Sequence, residues 1–213
     1  MKIKDERAFK LAQLLLQIKA IKLQPTKPFT WASGIQSPIY CDNRKTLSYP
    51  SVRTFIRQSF SDLIIEHFGK PDIIAGVATG GIPHGVLVAQ ELGIPFIYVR
   101  SSPKGHGMGN MIEGDFQEGE SVVVVEDLIS TGGSSLKAVE ALREAGLNVK
   151  GLTAIFTYGF EDAFNAFRDA KCPFETISNY DALMEQAIQE KYIDEQFLDS
   201  LLEWRKNPKG WQN

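Results

Sequence analysis

The stretch that decides the fold is Val122-Val123-Val124-Val125-Glu126-Asp127-Leu128-Ile129-Ser130-Thr131-Gly132-Gly133-Ser134. Four consecutive valines fit a strand buried on both faces, as in the middle of a parallel sheet, and that strand is expected over 121–126. Hydroxyls and glycines then turn the chain into a helix expected over 134–145 and closed by Gly146. Such a turn suits an anion, because glycine admits close backbone approach and the amides of the loop and helix N-terminus point at phosphate oxygens. A nucleotide-triphosphate loop of the GxxxxGK[ST] kind is excluded, since no lysine follows the glycines. The acids Glu126 and Asp127 would repel a bare phosphate. A sugar phosphate separates the charges, its hydroxyls donating to the acids while its phosphate reaches the amides. The plainer alternative is a strand whose last acids only favour the positive end of the next helix.

The same rhythm continues on either side. Strands are expected over 72–77, 95–100, 149–157 and 174–178, with helices over 83–92, 160–170 and 181–202. Alternation of this kind implies parallel βαβ units, with ligands bound outside the carboxyl ends of the strands. Upstream, apolar residues at Phe9, Leu11, Leu14, Leu15, Ile18 and Ile21 mark a helix over 6–21. Pro50 opens another that runs to Phe68 and is stopped by Gly69 and Pro71. Between them, 29–42 is rich in Trp, Tyr, Ser, Pro and Gly without helical spacing, which reads as short irregular strands forming a flap rather than core. The expected organisation is one α/β domain over 1–213, with an N-terminal hood of about 1–48 and a core of about 50–190.

Composition narrows the function classes. A length of 213 residues with 43% hydrophobic and 23% charged residues supports a packed core without disulfide staples and leaves no room for a disordered or fibrous chain. A net charge of −3 excludes a surface-wide nucleic-acid footprint, so any phosphate is gripped locally. Cys41 and Cys172 lack CxxC spacing and neighbouring histidines, which argues against zinc and for a reducing compartment. Residues 1–10 are charged and no apolar run reaches membrane length, so the expectation is a cytoplasmic protein without membrane or nucleic-acid partners.

Two further loops carry polar chemistry. Gly76-Val77-Ala78-Thr79-Gly80-Gly81-Ile82-Pro83-His84-Gly85 follows the first parallel strand and opens a helix, making a second anion nest. His84 there reads as a structural residue at the helix start. The long segment 101–117 holds Lys104, His106 and several glycines without apolar periodicity, the character of a lid or of a solvated loop with incidental charges. Gly105-His106-Gly107-Met108-Gly109-Asn110 imitates GxGxxG, but Asn110 replaces the last glycine and no helix follows.

Two acids after an apolar strand and before a Thr-Gly-rich loop resemble the phosphoribosyl-diphosphate-binding motif of type I phosphoribosyltransferases. The resemblance implies an α/β fold with a parallel sheet flanked by helices and an N-terminal hood. It further implies that Glu126, Asp127, Leu128, Ile129, Ser130, Thr131, Gly132, Gly133 and Ser134 bind the donor. In that reading the acids hold the ribose hydroxyls and balance positive charge on the sugar, 130–134 fix the 5-phosphate, and Thr79, Gly80 and Gly81 meet pyrophosphate. Arg100-Ser101-Ser102-Pro103-Lys104-Gly105-His106-Gly107 resembles the lid of the orotate branch, which makes Arg100, Lys104 and His106, with Asp127, the implied catalytic set. Cationic donors on a closing lid would stabilise the negative charge that develops on departing pyrophosphate. The hood resembles the same branch, with Ser130 and Tyr40 as orotate contacts.

The departures are specific. Ser101 and Ser102 stand where many relatives carry a further lysine, Thr79-Gly80 where some have Tyr-Lys, Ala32 where some have lysine, and Thr157-Tyr158-Gly159 where some have an orotate-contacting arginine. The resemblance implies transfer of phosphoribosyl from 5-phosphoribosyl 1-diphosphate to orotate, giving orotidine 5-phosphate and pyrophosphate in UMP synthesis. Mg²⁺ would enter with the donor rather than through a protein-held metal site, and the lid would act in trans in a homodimer. The alternatives are a purine phosphoribosyltransferase, which differs in the hood, and a non-catalytic regulator sensing the donor. The lid cations and the lack of a DNA-binding module weigh against the regulator.

Overall fold

The computed structural model describes residues 6–31, 34–102 and 111–211. Helix α1 (Glu6–Gln17) buries Leu11, Leu15 and Leu16 on one stripe. It ends four residues before the expected Ile21 because Lys19 takes a left-handed φ of 54° and the Ala20 amide donates back to Leu15 O at 2.9 Å. Ile21 instead opens strand β1 (Ile21–Leu23), where Ile21 and Leu23 are buried and Lys22 is exposed, the period-2 pattern of a strand. The hood continues through β2 (Phe29–Thr30), β3 (Gln36–Ser37) and β4 (Ile39–Cys41). β1 pairs with β4 and β2 with β3, both antiparallel. A 3-10 turn over Asn43–Ser48 leads into α2 (Pro50–Phe68), which has Pro at its start and Gly69 at φ 69° past its end, as expected from the sequence.

The core then alternates β5 (Ile73–Val77), α3 (Gly81–Leu92), β6 (Phe96–Val99), β7 (Ile112–Glu113), β8 (Ser121–Ile129), α4 (Gly133–Glu144), β9 (Asn148–Thr157), α5 (Glu161–Asp169) and β10 (Phe174–Asn179). Helices α6 (Tyr180–Gln189) and α7 (Leu198–Lys206) finish the chain. The expected single helix over 181–202 is broken between them. Lys191 adopts φ 55°, and Asp194 Oδ1 accepts from the Gln196 amide at 3.1 Å to cap a 3-10 turn over Glu195–Phe197. β7 lies within the segment expected to be irregular, paired antiparallel with β6 through Tyr98↔Glu113 and Val99↔Ile112.

The main sheet has the order β10-β9-β8-β5-β6-β7, parallel except for β7. Val123 and Val125 point into a core shared with α1, α2, α3, α6 and α7, while Val122 and Val124 point into a second core under α4 and α5. All four valines are fully buried, each worth about 1.5–2 kcal/mol of apolar transfer. From β5 the chain steps one way to β6 and later crosses back to the other side for β8. The crevice between the carboxyl ends of β5 and β8 is therefore the topological switch point, where α/β sheets bind ligands.

The hood is more than a flap. Ser37 and Ile39 are fully buried, and Trp31 joins an aromatic cluster around Trp204 of α7. Trp204 has ring neighbours Trp31, Tyr158, Phe160 and Tyr180 at 5.4–5.8 Å, and its Nε1 donates to Gln36 O at 3.2 Å. The C-terminal helix thus pins the hood to the end of β9. Among the described residues, no helix is long and apolar enough to cross a membrane.

Candidate active site at the switch point

Strand β8 does not stop at Glu126 but runs to Ile129, because β9 continues beside it and pairs Leu128 with Phe156 and Ile129 with Thr157. The acid pair therefore sits on a strand, and the pleat separates the two environments. Glu126 is 5% exposed, its Oε1 accepting the Asp127 amide at 2.9 Å and its Oε2 accepting Ser135 Oγ at 3.2 Å. Burial, and then the neighbouring Asp127, hold the Glu126 carboxyl well above the ordinary carboxylate range. Asp127 is half-buried. The two acids are unlike in environment, one buried and bonded within the protein and the other open to a ligand.

The second nest closes on the same point. After β5 the chain turns through a cis Ala78–Thr79 peptide to Gly80, whose Cα lies so near the Asp127 carboxylate that a methyl group there would overlap it. A methyl at Gly81 would likewise strike Val125 O. Glycine at both positions is what lets the β5–α3 loop lie against β8. Beyond β8, Gly132 takes φ 83°, where a side chain would also press on the Phe167 ring at 2.7 Å, and α4 starts at Gly133. The Ser130–Ser134 stretch thus presents a turn and the first amides of a twelve-residue helix beside Asp127.

The hood touches the acids through a residue that sequence reasoning missed. Asn43, 1% exposed, donates from Nδ2 to Asp127 O at 2.7 Å, and its own carbonyl accepts Thr46 Oγ1 at 2.6 Å. Thr46 Oγ1 lies 3.4 Å from Nε2 of His84 in α3. Hood, acid strand and second nest therefore share one hydrogen-bonded chain. The only signal in the sequence was a run of polar residues between Asp42 and Pro50, which looks like any exposed turn.

His84 is buried, with Nδ1 lacking a partner among the described residues. Burial, followed by the charge of Arg53, lowers its pKa to about 4 from an ordinary 6.5. The unfolded chain then binds the extra proton more tightly than the folded one, so this residue destabilises the fold as pH falls from about 6.5 towards 4 and has no such effect above that window. Urea unfolding of wild type and His84→Gln at pH 7.5 and pH 5 is the check. The wild type is expected to lose roughly 2 kcal/mol more than the variant on acidification, and equal losses would exclude His84 as the cause.

The other expected site residues are spread unevenly. Arg100 follows β6, on the far side of β5 from β8, with its guanidinium 3.5 Å from Glu113. Lys104 and His106 lie outside the described residues. Tyr40 is exposed on β4 with its ring 5.6 Å from Phe29. The hood residues that line the cavity beside Ser130 and Thr131 are Trp31 and Ile35 rather than Tyr40, and the cavity has a volume of about 550 Å³. Trp31 could not be assigned a role from sequence, since one aromatic in an irregular stretch carries no directional signal. Among the described residues no three His, Cys, Asp or Glu side chains converge as metal ligands.

Residues 46–158 match the phosphoribosyl transferase domain family, a span that takes in the second nest and the acid strand. Over 207 residues the chain is 59% identical to the orotate phosphoribosyltransferase of Bacteroides fragilis, with 97% of each covered. The chain belongs to the orotate phosphoribosyltransferase family. Solved structures agree with that membership. The orotate phosphoribosyltransferase of Aeropyrum pernix superposes with a TM-score of 0.75 at 28% identity, covering 86% of this chain and 99% of that one. Leishmania donovani UMP synthase gives 0.76 at 27% identity, covering 92% of this chain but only 42% of that longer one. The family match takes in both the β5–α3 turn and the β8–α4 turn. The segment from α5 onward lies beyond the family match.

Proposed function

We propose that this chain transfers the phosphoribosyl group of 5-phosphoribosyl 1-diphosphate to orotate, releasing pyrophosphate and forming orotidine 5-phosphate for UMP synthesis. The observation that carries the reading is the seating of Asp127 between two anion nests, against Gly80 on one side and before the Ser130–Ser134 turn on the other. A donor with a phosphate at one end and a diphosphate at the other spans those nests, with its ribose over the acids. As the C1–oxygen bond to diphosphate breaks and the orotate ring nitrogen bonds to C1, releasing its proton to solvent, positive charge gathers on the sugar. Asp127 stabilises it from a fixed position, while buried Glu126, held by Ser135, sets the strand end. Ser130 lies beside the base cavity, and Tyr40 guards the outer face of the hood. Arg100, Lys104 and His106 serve the diphosphate.

Mg²⁺ accompanies the donor in this reading. A single half-buried carboxylate beside a diphosphate nest suits an ion that keeps its water and takes most ligands from substrate oxygens. When bound, the ion neutralises charge on the leaving diphosphate. The proposal includes a homodimer with the lid acting in trans and a cytoplasmic setting.

Pyrophosphate release with orotate, uracil, hypoxanthine or adenine at one donor concentration tests the assignment. Orotate is expected to dominate. Higher rates with hypoxanthine or adenine would move the chain to the purine branch, and an absence of release with every base would leave only a donor-binding protein.

A further inference from the structure

The cavity beside Ser130 and Thr131 has a wall that the reaction described above does not use. It is formed by the C-terminal segment, including Lys206 and Lys209. Its volume of about 550 Å³ falls within the usual range for small-molecule sites, roughly 300–1,000 Å³. Its lining combines Ser130 and Thr131 with the aromatic rings of Trp31 and Phe160. Aromatic lining of this kind suits a planar ring.

The C-terminal wall is held in place. Trp204 is fully buried and bonded to the hood, Arg205 is paired with Asp181 and lies 5.6 Å over the Tyr180 ring, and Trp211 Nε1 donates to Ser200 Oγ at 3.2 Å to bring the tail back onto α7. Between these anchors Lys206 and Lys209 are exposed and make no ion pair among the described residues. The acids that also line the cavity, Glu161 and Asp162, belong to the first turn of α5, where they favour its dipole. The neighbouring end of β9 offers no cation: Thr157 and Tyr158 are buried and Gly159 follows.

We propose that Lys206 and Lys209 are the cationic edge of the base site and recognise the carboxylate of the pyrimidine substrate. This rests on the orotate reading and adds to it the group that distinguishes orotate from a carboxylate-free pyrimidine. An ammonium needs no fixed fork to meet a carboxylate, so two lysines on a short anchored segment suffice as point charges.

The test is the double variant Lys206→Gln/Lys209→Gln, assayed beside wild type and Lys206→Arg/Lys209→Arg. The glutamine variant should raise KM for orotate roughly tenfold, the size expected from losing a charge-assisted contact. KM for the donor, kcat at saturating orotate and the melting temperature should stay at wild-type values, because both lysines are exposed. The arginine variant should keep the wild-type KM. An unchanged KM for orotate, or equal rises for orotate and donor, would overturn the proposal. If wild type itself fails to turn over orotate, the functional reading falls and this inference falls with it. Wild-type turnover with an indifferent glutamine variant would remove the lysines alone.

Discussion

Asp127→Asn is expected to lower kcat by roughly 10²- to 10³-fold, the usual cost of removing one preorganised electrostatic group from a transition state, while leaving the unfolding midpoint close to wild type. Two features of the site separate these outcomes. The contact that ties residue 127 to the hood runs through its backbone carbonyl, which accepts Asn43 Nδ2 and is kept in the variant. Asparagine also matches aspartate in shape, so the close approach of Gly80 is not disturbed. What disappears is the charge facing the sugar. The loss should therefore fall on kcat more than on KM for the donor, since the positive charge it answers exists mainly in the transition state. Steady-state pyrophosphate release together with a thermal melt is the measurement. Turnover near wild type would remove Asp127 from the mechanism, and a collapsed melting temperature would reassign it to the fold.

How far the sequence foretold this arrangement depended on whether the deciding interactions were local. The valine run was legible because burial on both faces leaves no alternation to misread, and α2 was legible at both ends because Pro50 and Gly69 act on their own backbone. The extension of β8 to Ile129 was not, because it depends on how far β9 runs alongside, a fact about another segment. β7 was missed for the same reason, being two residues long and defined only by pairing with β6. The break near Lys191 interrupts an apolar pattern that both helices continue, so periodicity alone joined them. In the site, the acids and both nests could be found from residue type and order. Asn43, Trp31 and the C-terminal lysines could not, since each reaches the site from a distant part of the chain through tertiary packing.

Mixing two inactive variants is expected to restore activity if the lid works across a dimer. Arg100 follows β6, and residues 100–111 connect β6 to β7, the strand at the sheet edge. The acids lie on β8, two strand spacings from β6, or roughly 10 Å. A loop rooted there could close over its own acids or over those of a neighbouring subunit, and the mixture distinguishes the two. A Lys104→Ala chain keeps its acids but lacks a working lid, whereas an Asp127→Asn chain keeps its lid but lacks a working acid. Each homodimer should be nearly inactive. In a hybrid dimer, the intact acids of the first chain receive the intact lid of the second, giving one complete site. Random reassociation of equal amounts makes about half the dimers hybrid, so activity should recover to roughly a quarter of wild type under two-fold symmetry. If each lid closed over its own chain, every site in the mixture would contain one defect and nothing would return. Native mass measurement establishes whether hybrids formed. Hybrids without recovered activity would confine the lid to its own subunit, and the failure of any dimer to form would remove the trans arrangement altogether. Neither outcome would disturb the placement of Asp127 and the two nests, which is set within one chain by β5 and β8.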